Sequence, residues 1–307
     1  MTRFSASAVV GALADRTADQ TADLRGRAEA LGAALPALLA QADQLAATVI
    51  LGDHGRRRAG MGDEFWQYRP AHPGDSASLV DWRRSARSDQ HFVREREWQA
   101  AQTVTLWVDP SRSMDFAGAK DRAAKADRAR LLALAVSVLL LRGGERVGLA
   151  GDAARPRSGR AQLLHLAQGL AGGGAADFGT PDVSGMVSHG RAVFLSDFLG
   201  DPEEVETALG LASDRGVRGA LVQVLDPAEE DFPFDGRTIF ESMGGTVSFE
   251  TLRAGDLRAR YLDRLAERKE RLQTLARASG WHYLCHHTGQ SAQGALLWLY
   301  AALERGR

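Results

Sequence analysis

An acid and two hydroxyl groups occupy alternate positions in the segment VDPSRSM (108–114): Asp109, Ser111 and Ser113. The segment follows the apolar run TVTLW (103–107), which has the composition of a buried strand. A turn after such a strand can aim all three side chains at one point. Carboxylate and hydroxyl oxygens are hard ligands that suit Mg²⁺ or Mn²⁺. The spacing therefore predicts either a divalent-cation site or a turn in which these side chains only cap the backbone.

A second carboxylate ends another apolar run. Asp197 closes the segment AVFLSD (192–197). In an open parallel sheet, ligands bind beyond the carboxyl ends of the strands. We therefore expect Asp197 to lie near Asp109, so that a metal ion would be held by Asp109, Ser111, Ser113 and Asp197, with waters completing the shell.

Strand-like and helical patterns alternate over residues 101–307. Strands are predicted at 103–109, 146–151, 191–197, 217–226 and 281–286, and helices at 119–142, 160–170, 202–214, 256–279 and 291–305. Alternation of this kind, with continuously apolar strands, is typical of a sheet covered by helices on both faces. The pattern predicts an α/β fold of the Rossmann type with a doubly wound, mostly parallel sheet.

Two smaller segments precede this α/β domain. Residues 1–50 are rich in Ala and Leu, and Pro36 suits the first turn of a helix. They predict a helical hairpin, with one helix ending near Gly32 and the second spanning 35–50. Residues 51–100 change to Gly, Pro and alternating apolar positions, which predicts a small β-rich element. Its aromatic side chains would form a local core: Phe65, Trp66, Tyr68, Trp82, Phe92 and Trp98.

Composition limits the possible partners. The formal net charge is −1, and residues 81–97 balance five Arg with four acids. Because phosphate binding needs an uncompensated basic surface, we expect no nucleic-acid partner. No early run reaches the ~20 apolar residues of a membrane-spanning helix, which predicts a cytoplasmic protein without a direct membrane span. The single cysteine, Cys285, excludes an internal disulfide, and the adjacent His286 and His287 would point to opposite faces of a strand.

The region before the first α/β strand carries a longer motif. It reads EF-x-x-x-R, then PGD…DWR-x-SAR, then V-R-E-x-E, and it ends in Asp-x-Ser-x-Ser. This order resembles bacterial domain-of-unknown-function family 58, and the resemblance covers roughly residues 50–305. The resemblance marks a second candidate set, for contact with a partner or for holding the motif together: Asp75, Asp81, Trp82, Arg83, Ser85, Arg87, Arg94 and Glu95.

The Asp-x-Ser-x-Ser segment also resembles the metal-ion-dependent adhesion site of von Willebrand factor A-like domains. The resemblance implies a von Willebrand A-like fold, and family members are often encoded beside MoxR-type AAA+ ATPases, which implies such a partner. Adhesion sites add a threonine from a glycine-rich loop, here GLAGGGAADFGTPD (169–182). Asp177 and Thr180 are the less favoured candidates in that loop, and their positions imply that the metal is weakly bound or absent.

Three functions remain open at this stage. In the preferred one, the chain is a non-catalytic module, and a partner's carboxylate completes the metal shell. The first alternative is a metal-dependent phosphohydrolase that uses the same acidic edge. The second is a scaffold that has lost its metal. The enzyme is less favoured because no phosphate-binding loop, no Gly-x-Ser-x-Gly and no histidine base for Ser111 is evident in the sequence.

Overall fold

The computed structural model describes residues 36–49, 59–60, 64–72, 75–87, 90–97, 101–242, 245 and 248–305. The first predicted N-terminal helix, ending near Gly32, lies outside these residues. The second is helix α1, which spans 36–47 and has Pro36 in its first turn. Ala42, Ala46 and Val49 are buried in the same core as the α/β sheet. α1 therefore packs on the α/β domain.

A small antiparallel sheet follows. Its strands are β1 (Ala59–Gly60), β2 (Glu64–Pro70) and β3 (Phe92–Glu97), in the order β1-β3-β2. The short helix α2 (Trp82–Ser85) connects β2 to β3. Asp81 caps α2, because its Oδ1 accepts the N–H of Arg84 at 3.0 Å. Ser85 Oγ donates to the Asp81 carbonyl and accepts the N–H of Phe92, which ties α2 to β3.

The described residues build a five-stranded parallel sheet in the order β10-β7-β6-β4-β5. In chain order the remaining elements are β4 (Thr103–Val108), α3 (Lys125–Arg142), β5 (Arg146–Leu149), α4 (Arg160–Leu170), β6 (Arg191–Ser196), α5 (Pro202–Asp214), β7 (Arg218–Leu225), α6 (Pro227–Asp231), β8 (Thr238–Glu241), β9 (Ser248–Thr251), α7 (Arg258–Ala278), β10 (His282–His287) and α8 (Ala292–Arg305).

Helices cover both faces of the sheet. Alternate strand residues enter two cores: Leu106 and Val193 pack beneath α3, α4 and α8, whereas Trp107 and Phe194 pack beneath α5 and α7. The chain leaves β4 toward β5 and then returns across the sheet to β6, on the other side of β4. The carboxyl ends of β4 and β6 therefore flank the topological switch point, where doubly wound sheets bind ligands. The predicted doubly wound α/β fold is confirmed.

One predicted boundary needs correction, and one element was missed. The helix predicted from residue 119 begins at Lys125, because Lys125 is anchored by its own N–H to the Phe116 carbonyl and by its side chain to Asp197. The antiparallel hairpin of β8 and β9 was not predicted, since each strand has only four residues and is largely exposed.

Candidate functional site at the switch point

The Asp109 motif forms a compact oxygen cluster at the end of β4. Oδ1 of Asp109 accepts the N–H of Ser111 at 2.8 Å, and Oδ2 accepts the hydroxyl of Ser196 at 2.6 Å. The hydroxyl oxygens of Ser111 and Ser113 lie 3.2 Å apart. The structure thus brings together the three predicted residues of this motif. Ser196, the last residue of β6, joins them. The sequence feature that could have identified Ser196 is its position directly before Asp197.

A glycine-containing loop closes over this cluster. The N–H groups of Arg112 and Ser113 donate to the carbonyls of Ala176 and Asp177, both at 2.9 Å. Gly179 lies against Asp109 so closely that a Cβ at this position would be 2.1 Å from Oδ1. Asp109 is consequently only 2% exposed. We call residues 174–179 the cover loop.

Burial also changes the chemistry of Asp109. Desolvation raises the pKa of its carboxyl group, and the hydrogen bonds from Ser111 and Ser196 only partly oppose this. The charge of Asp197 raises the pKa further. Among the described residues, no cationic side chain bonds to Asp109. A buried carboxylate in this environment would be stabilised by a cation.

The second carboxylate already has a cation. Nζ of Lys125 lies 2.8 Å from Oδ2 of Asp197 and 2.6 Å from Oε1 of Glu229. The side chains of Lys125 and Asp197 are each 1% exposed. Burial alone would lower the pKa of Lys125, but the charges of Asp197 and Glu229 outweigh it, so the pKa is raised and the ammonium stays charged. The site therefore contains an internal cation that the sequence did not reveal.

A third strand-end carboxylate extends the row. Asp226 follows β7 and accepts hydrogen bonds from Arg122 Nη1 at 2.8 Å and from Thr288 Oγ1 at 3.0 Å. Burial disfavours its ionised form, but the N–H groups of Ala228 and Gly118 and these side chains outweigh burial and lower its pKa. Its signal in the sequence was the same as that of Asp197, since an aspartate closes the predicted strand 217–226.

The two candidates of the glycine-rich loop take different positions. Thr180 is exposed, and its hydroxyl donates to Glu204 at 2.5 Å. Asp177 lies in the cover loop, and its carbonyl accepts the N–H of Ser113 at 2.9 Å. The hydroxyl oxygens of Ser111 and Ser113 lie 3.2 Å apart, a separation that would suit neighbouring positions of a Mg²⁺ octahedron, and the Asp109 carboxylate is of the oxygen type that Mg²⁺ prefers. Asp197 is bonded to Lys125 and Thr180 to Glu204, so this arrangement does not add them to the cluster.

The motif in the small sheet forms a separate surface. Asp75 accepts the N–H of His72, and Asp81 accepts the Tyr68 hydroxyl at 3.1 Å in addition to capping α2. Trp82 is 59% exposed and contacts the ring of His91, so its predicted place in a local aromatic core is wrong. Arg83 and Arg87 line an open cavity of about 520 Å³, together with Tyr68, Asp81, Arg84 and Phe92. Arg94 and Glu95 lie on β3, and their side chains fall outside the described part of the structure.

The fold and the switch point define a class: a doubly wound α/β protein with aspartates after three adjacent strands and a buried lysine among them. Within that class, the chain belongs to the family described as "Protein of unknown function DUF58", which matches residues 67–271.

Similar proteins are known from mycobacteria and Bacteroides. Uncharacterized proteins of Mycobacterium tuberculosis (Rv1480) and Mycobacterium bovis (Mb1516) are each 30% identical over 226 residues, which cover 69% of this chain and 70% of the relative. Two solved structures each cover 67% of this chain and 100% of their own. They are an aerotolerance-related membrane protein of Bacteroides fragilis (14% identity, TM-score 0.38) and the conserved hypothetical protein BatB of Bacteroides thetaiotaomicron (12%, TM-score 0.37). TM-scores this low do not define the fold.

Among the described helices, none has the length and hydropathy needed to cross a membrane.

Proposed function

We propose that this protein is a non-catalytic interaction module that binds a protein partner at the carboxyl edge of its central sheet, and that the partner is a MoxR-type AAA+ ATPase. The observation that carries the proposal is the closure of the switch point by the protein's own groups. Asp109 lies under the cover loop and Asp197 is bonded to Lys125. A closed surface of this kind can contact a partner protein but does not expose its carboxylates to a substrate. The ATPase is what the family resemblance implies.

The alternative of a phosphohydrolase is less well supported. Asp109 and Asp197 are 2% and 1% exposed, so a phosphate ester would reach neither carboxylate without movement of the groups that cover them. The ammonium of Lys125 also competes with any metal ion for Asp197. Turnover of p-nitrophenyl phosphate with Mg²⁺ or Mn²⁺, abolished by Asp109→Asn, would replace the binding proposal with the enzyme.

A divalent cation enters this proposal as a weak ligand of Asp109, Ser111 and Ser113. At a free concentration equal to its Kd, a ligand of the folded state stabilises it by only about 0.4 kcal/mol. Millimolar Mg²⁺ should therefore raise the Tm slightly in the wild type and leave Asp109→Asn unchanged. An identical response of both proteins would favour the metal-free scaffold, in which the partner contacts the protein surface alone.

Binding to the ATPase tests the main proposal. The purified chain is immobilised, and the MoxR-type ATPase of the same genome is titrated with a slowly hydrolysed ATP analogue. Phe178, on the cover loop at the carboxyl edge, is 45% exposed, and Val187, before β6 at the opposite edge, is also 45% exposed. We expect Phe178→Ala to weaken binding and Val187→Ala to have no effect. Absence of saturable binding by the wild type would refute the proposed partner.

A further inference from the structure

An open cavity of about 620 Å³ lies beside the switch point, between α6, the β8–β9 hairpin and the start of α7. Phe232 forms its centre, and the ring centroids of Phe234, Phe240 and Tyr261 lie 5.2, 5.7 and 5.0 Å from that of Phe232. Cavities of this volume with apolar walls and a few polar groups are typical of binding sites. The full aromatic lining is Phe116, Phe232, Phe234, Phe240, Phe249 and Tyr261.

The hairpin that forms one wall also presents apolar side chains to solvent. Ile239 is 55% exposed, Phe249 is 54% exposed, and Leu252, directly after the hairpin, is 73% exposed. Soluble proteins rarely expose large apolar side chains in contiguous groups unless the group meets a partner. Phe249 pairs with Phe240 and lines the cavity, whereas Ile239 lies on the other face of β8, and neither Ile239 nor Leu252 lines the cavity. The cavity lining, with the exposed ring of Phe249 at its edge, therefore forms one apolar surface, which we call the hairpin surface.

Positive charge flanks the cavity. Arg260 and Arg264 lie one turn apart on α7, both are exposed, and both line the cavity. Neither forms an ion pair with any carboxylate in the described ranges. The lining contains two carboxylates, and Glu229 is already bonded to Lys125, which leaves Glu241 against two guanidinium groups. Unpaired guanidinium groups favour an anionic ligand, because their planar N–H groups match a carboxylate in two-point geometry.

Tyr261 adds a polar group inside the aromatic lining. Burial, together with the charges of Glu229 and Asp197, raises its pKa to about 12, so the hydroxyl stays protonated and can donate. Its hydroxyl has no hydrogen-bond partner in the part of the chain that the structure describes. Tyr261 is thus a donor that a ligand in the cavity could reach.

We propose that the cavity binds an acidic segment of a partner protein, whose aromatic or large aliphatic side chain enters between the phenylalanine rings while its carboxylates meet Arg260 and Arg264. The proposal rests on the proposed interaction function and adds the chemistry of the segment that is recognised. The occupant also contacts Phe116 and Glu229, which lie next to Lys125: Nζ is 5.7 Å from the Phe116 ring centroid. Binding at the hairpin surface therefore takes place against residues of the switch point.

Fluorescence anisotropy with a labelled Asp-Glu-Phe-Asp-Glu peptide tests the proposal on the intact chain. We expect saturable binding by the wild type. Arg260→Glu/Arg264→Glu should weaken it roughly tenfold, since two exposed charge pairs become repulsive. Phe249→Ala should weaken it through lost apolar contact. The control peptides Lys-Arg-Phe-Lys-Arg and Asp-Glu-Gly-Asp-Glu should bind at least about tenfold more weakly.

Matched variants separate the cavity from general effects. Arg258 and Arg277 are exposed on α7 and lie outside the cavity lining, so Arg258→Glu/Arg277→Glu makes the same change in net charge. Leu252→Ala removes an exposed apolar side chain that is not part of the lining. Both controls should bind the peptide like the wild type. If Arg258→Glu/Arg277→Glu weakened peptide binding as much as Arg260→Glu/Arg264→Glu, the effect would be one of net charge and the proposal would be overturned. An equal loss of binding in Leu252→Ala and Phe249→Ala would also overturn it.

Other outcomes assign the surface differently. Phenylacetate that competes as strongly as the whole peptide would make a small aromatic acid the occupant. A homodimer that Phe249→Ala dissociates and Leu252→Ala does not would make a second copy the occupant. Either result overturns the proposal, as does absence of peptide binding at millimolar concentration. ATPase binding that survives Arg260→Glu/Arg264→Glu would refute this site while leaving the proposed function intact.

Discussion

At the scale of single residues, the ammonium of Lys125 gives the switch point a cation that the sequence motif does not predict. Asp109 and Asp197 could be inferred, because each directly follows a run of apolar strand residues. Lys125 stands in the polar run AKDRAAKADR, where lysines are normally solvated. Only the adjacency of β4, β6 and β7 places its Nζ between two carboxylates. Because these ion pairs join distant parts of the chain, the sequence around Lys125 does not indicate them.

Replacement of Lys125 by Met should strongly destabilise the protein. The change keeps the length of the side chain but leaves Asp197 and Glu229 as buried carboxylates without their cation. Removing one partner of a buried pair typically costs about 3–5 kcal/mol. Denaturant unfolding of Lys125→Met measures the loss, with the exposed Lys120→Met as the matched control, for which we expect a change within about 0.5 kcal/mol. Wild-type stability of Lys125→Met would show that the pair contributes nothing net.

His286 should make the protein less stable in mild acid. Burial, with the charges of Arg128 and His287, lowers its pKa from 6.5 to about 4. Arg128 Nη1 lies 3.0 Å from Nε2 of His286, which favours the neutral ring as acceptor. The unfolded chain therefore binds a proton more readily between pH 6.5 and 4, and stability falls as the pH falls through this window. At about 1.4 kcal/mol per pH unit the full loss is about 3 kcal/mol.

The variant His286→Gln isolates this contribution. Its free energy of unfolding, measured by denaturant titration, should vary less between pH 6.5 and 4 than that of the wild type, because glutamine does not titrate. His72→Gln, which replaces an exposed histidine, is the matched control for the substitution itself. Parallel pH profiles for His286→Gln and the wild type would rule out His286 as the source.

At the scale of elements, helices and strands with a clear sequence pattern were predictable, and those with a weak pattern were not. The five sheet strands and the helices α4, α5, α7 and α8 agree with the predicted segments within a few residues, since strands and helices alternate in a regular order over this part of the chain. The hairpin of β8 and β9 was missed because its apolar side chains are partly exposed and its strands are short. The start of α3 was misplaced because residues 116–124 are held by tertiary contacts, notably Arg122 to Asp226.

The cover loop provides a test at this scale. Gly179→Ala should be destabilising by about 1–3 kcal/mol, because the new Cβ would lie 2.1 Å from Asp109 Oδ1 and force the loop outward. Gly172 lies just before the cover loop, and a Cβ added there would have no atom within 4 Å, so Gly172→Ala should be close to neutral. Thermal unfolding measures both variants, and hydrogen exchange at the Ser113 amide reports loop opening. Equal effects of the two substitutions would argue against the tight contact.

At the scale of the whole molecule, the class of fold was predictable, but only some of the side chains at its switch point were. Alternating strand and helix patterns specify a doubly wound sheet in general, whereas the strand order that brings β4 beside β6 emerges only in three dimensions. The boundaries of the N-terminal and small β-rich segments remain predictions. The oxygen cluster at Asp109 was predictable from three letters in the sequence. The close approach of the Gly179 backbone to Asp109 was not predictable, because a glycine alone does not indicate which residue its backbone will contact.

The burial of α1 in the main core predicts that this helix unfolds together with the sheet. Ala46 is 1% exposed, whereas its neighbour Ala47 is exposed. Ala46→Glu should reduce stability by about 2 kcal/mol or more, because a charge would enter the core without a partner. Ala47→Glu should be nearly neutral. Calorimetric unfolding of both variants decides the point, and an unchanged transition in Ala46→Glu would make α1 a peripheral appendage.

The strand order also governs when the switch point can form during synthesis. Val104 of β4 pairs with Arg191 of β6, and β5 fills only the other side of β4. While the ribosome adds the residues between them, one side of β4 has unpaired backbone groups and apolar side chains. Long-range parallel pairings form slowly and expose such edges to association with other chains. A nascent chain stalled before β6 should therefore depend on chaperones, and that dependence should decrease once Asp197 has emerged and end only after β7 has paired with β6.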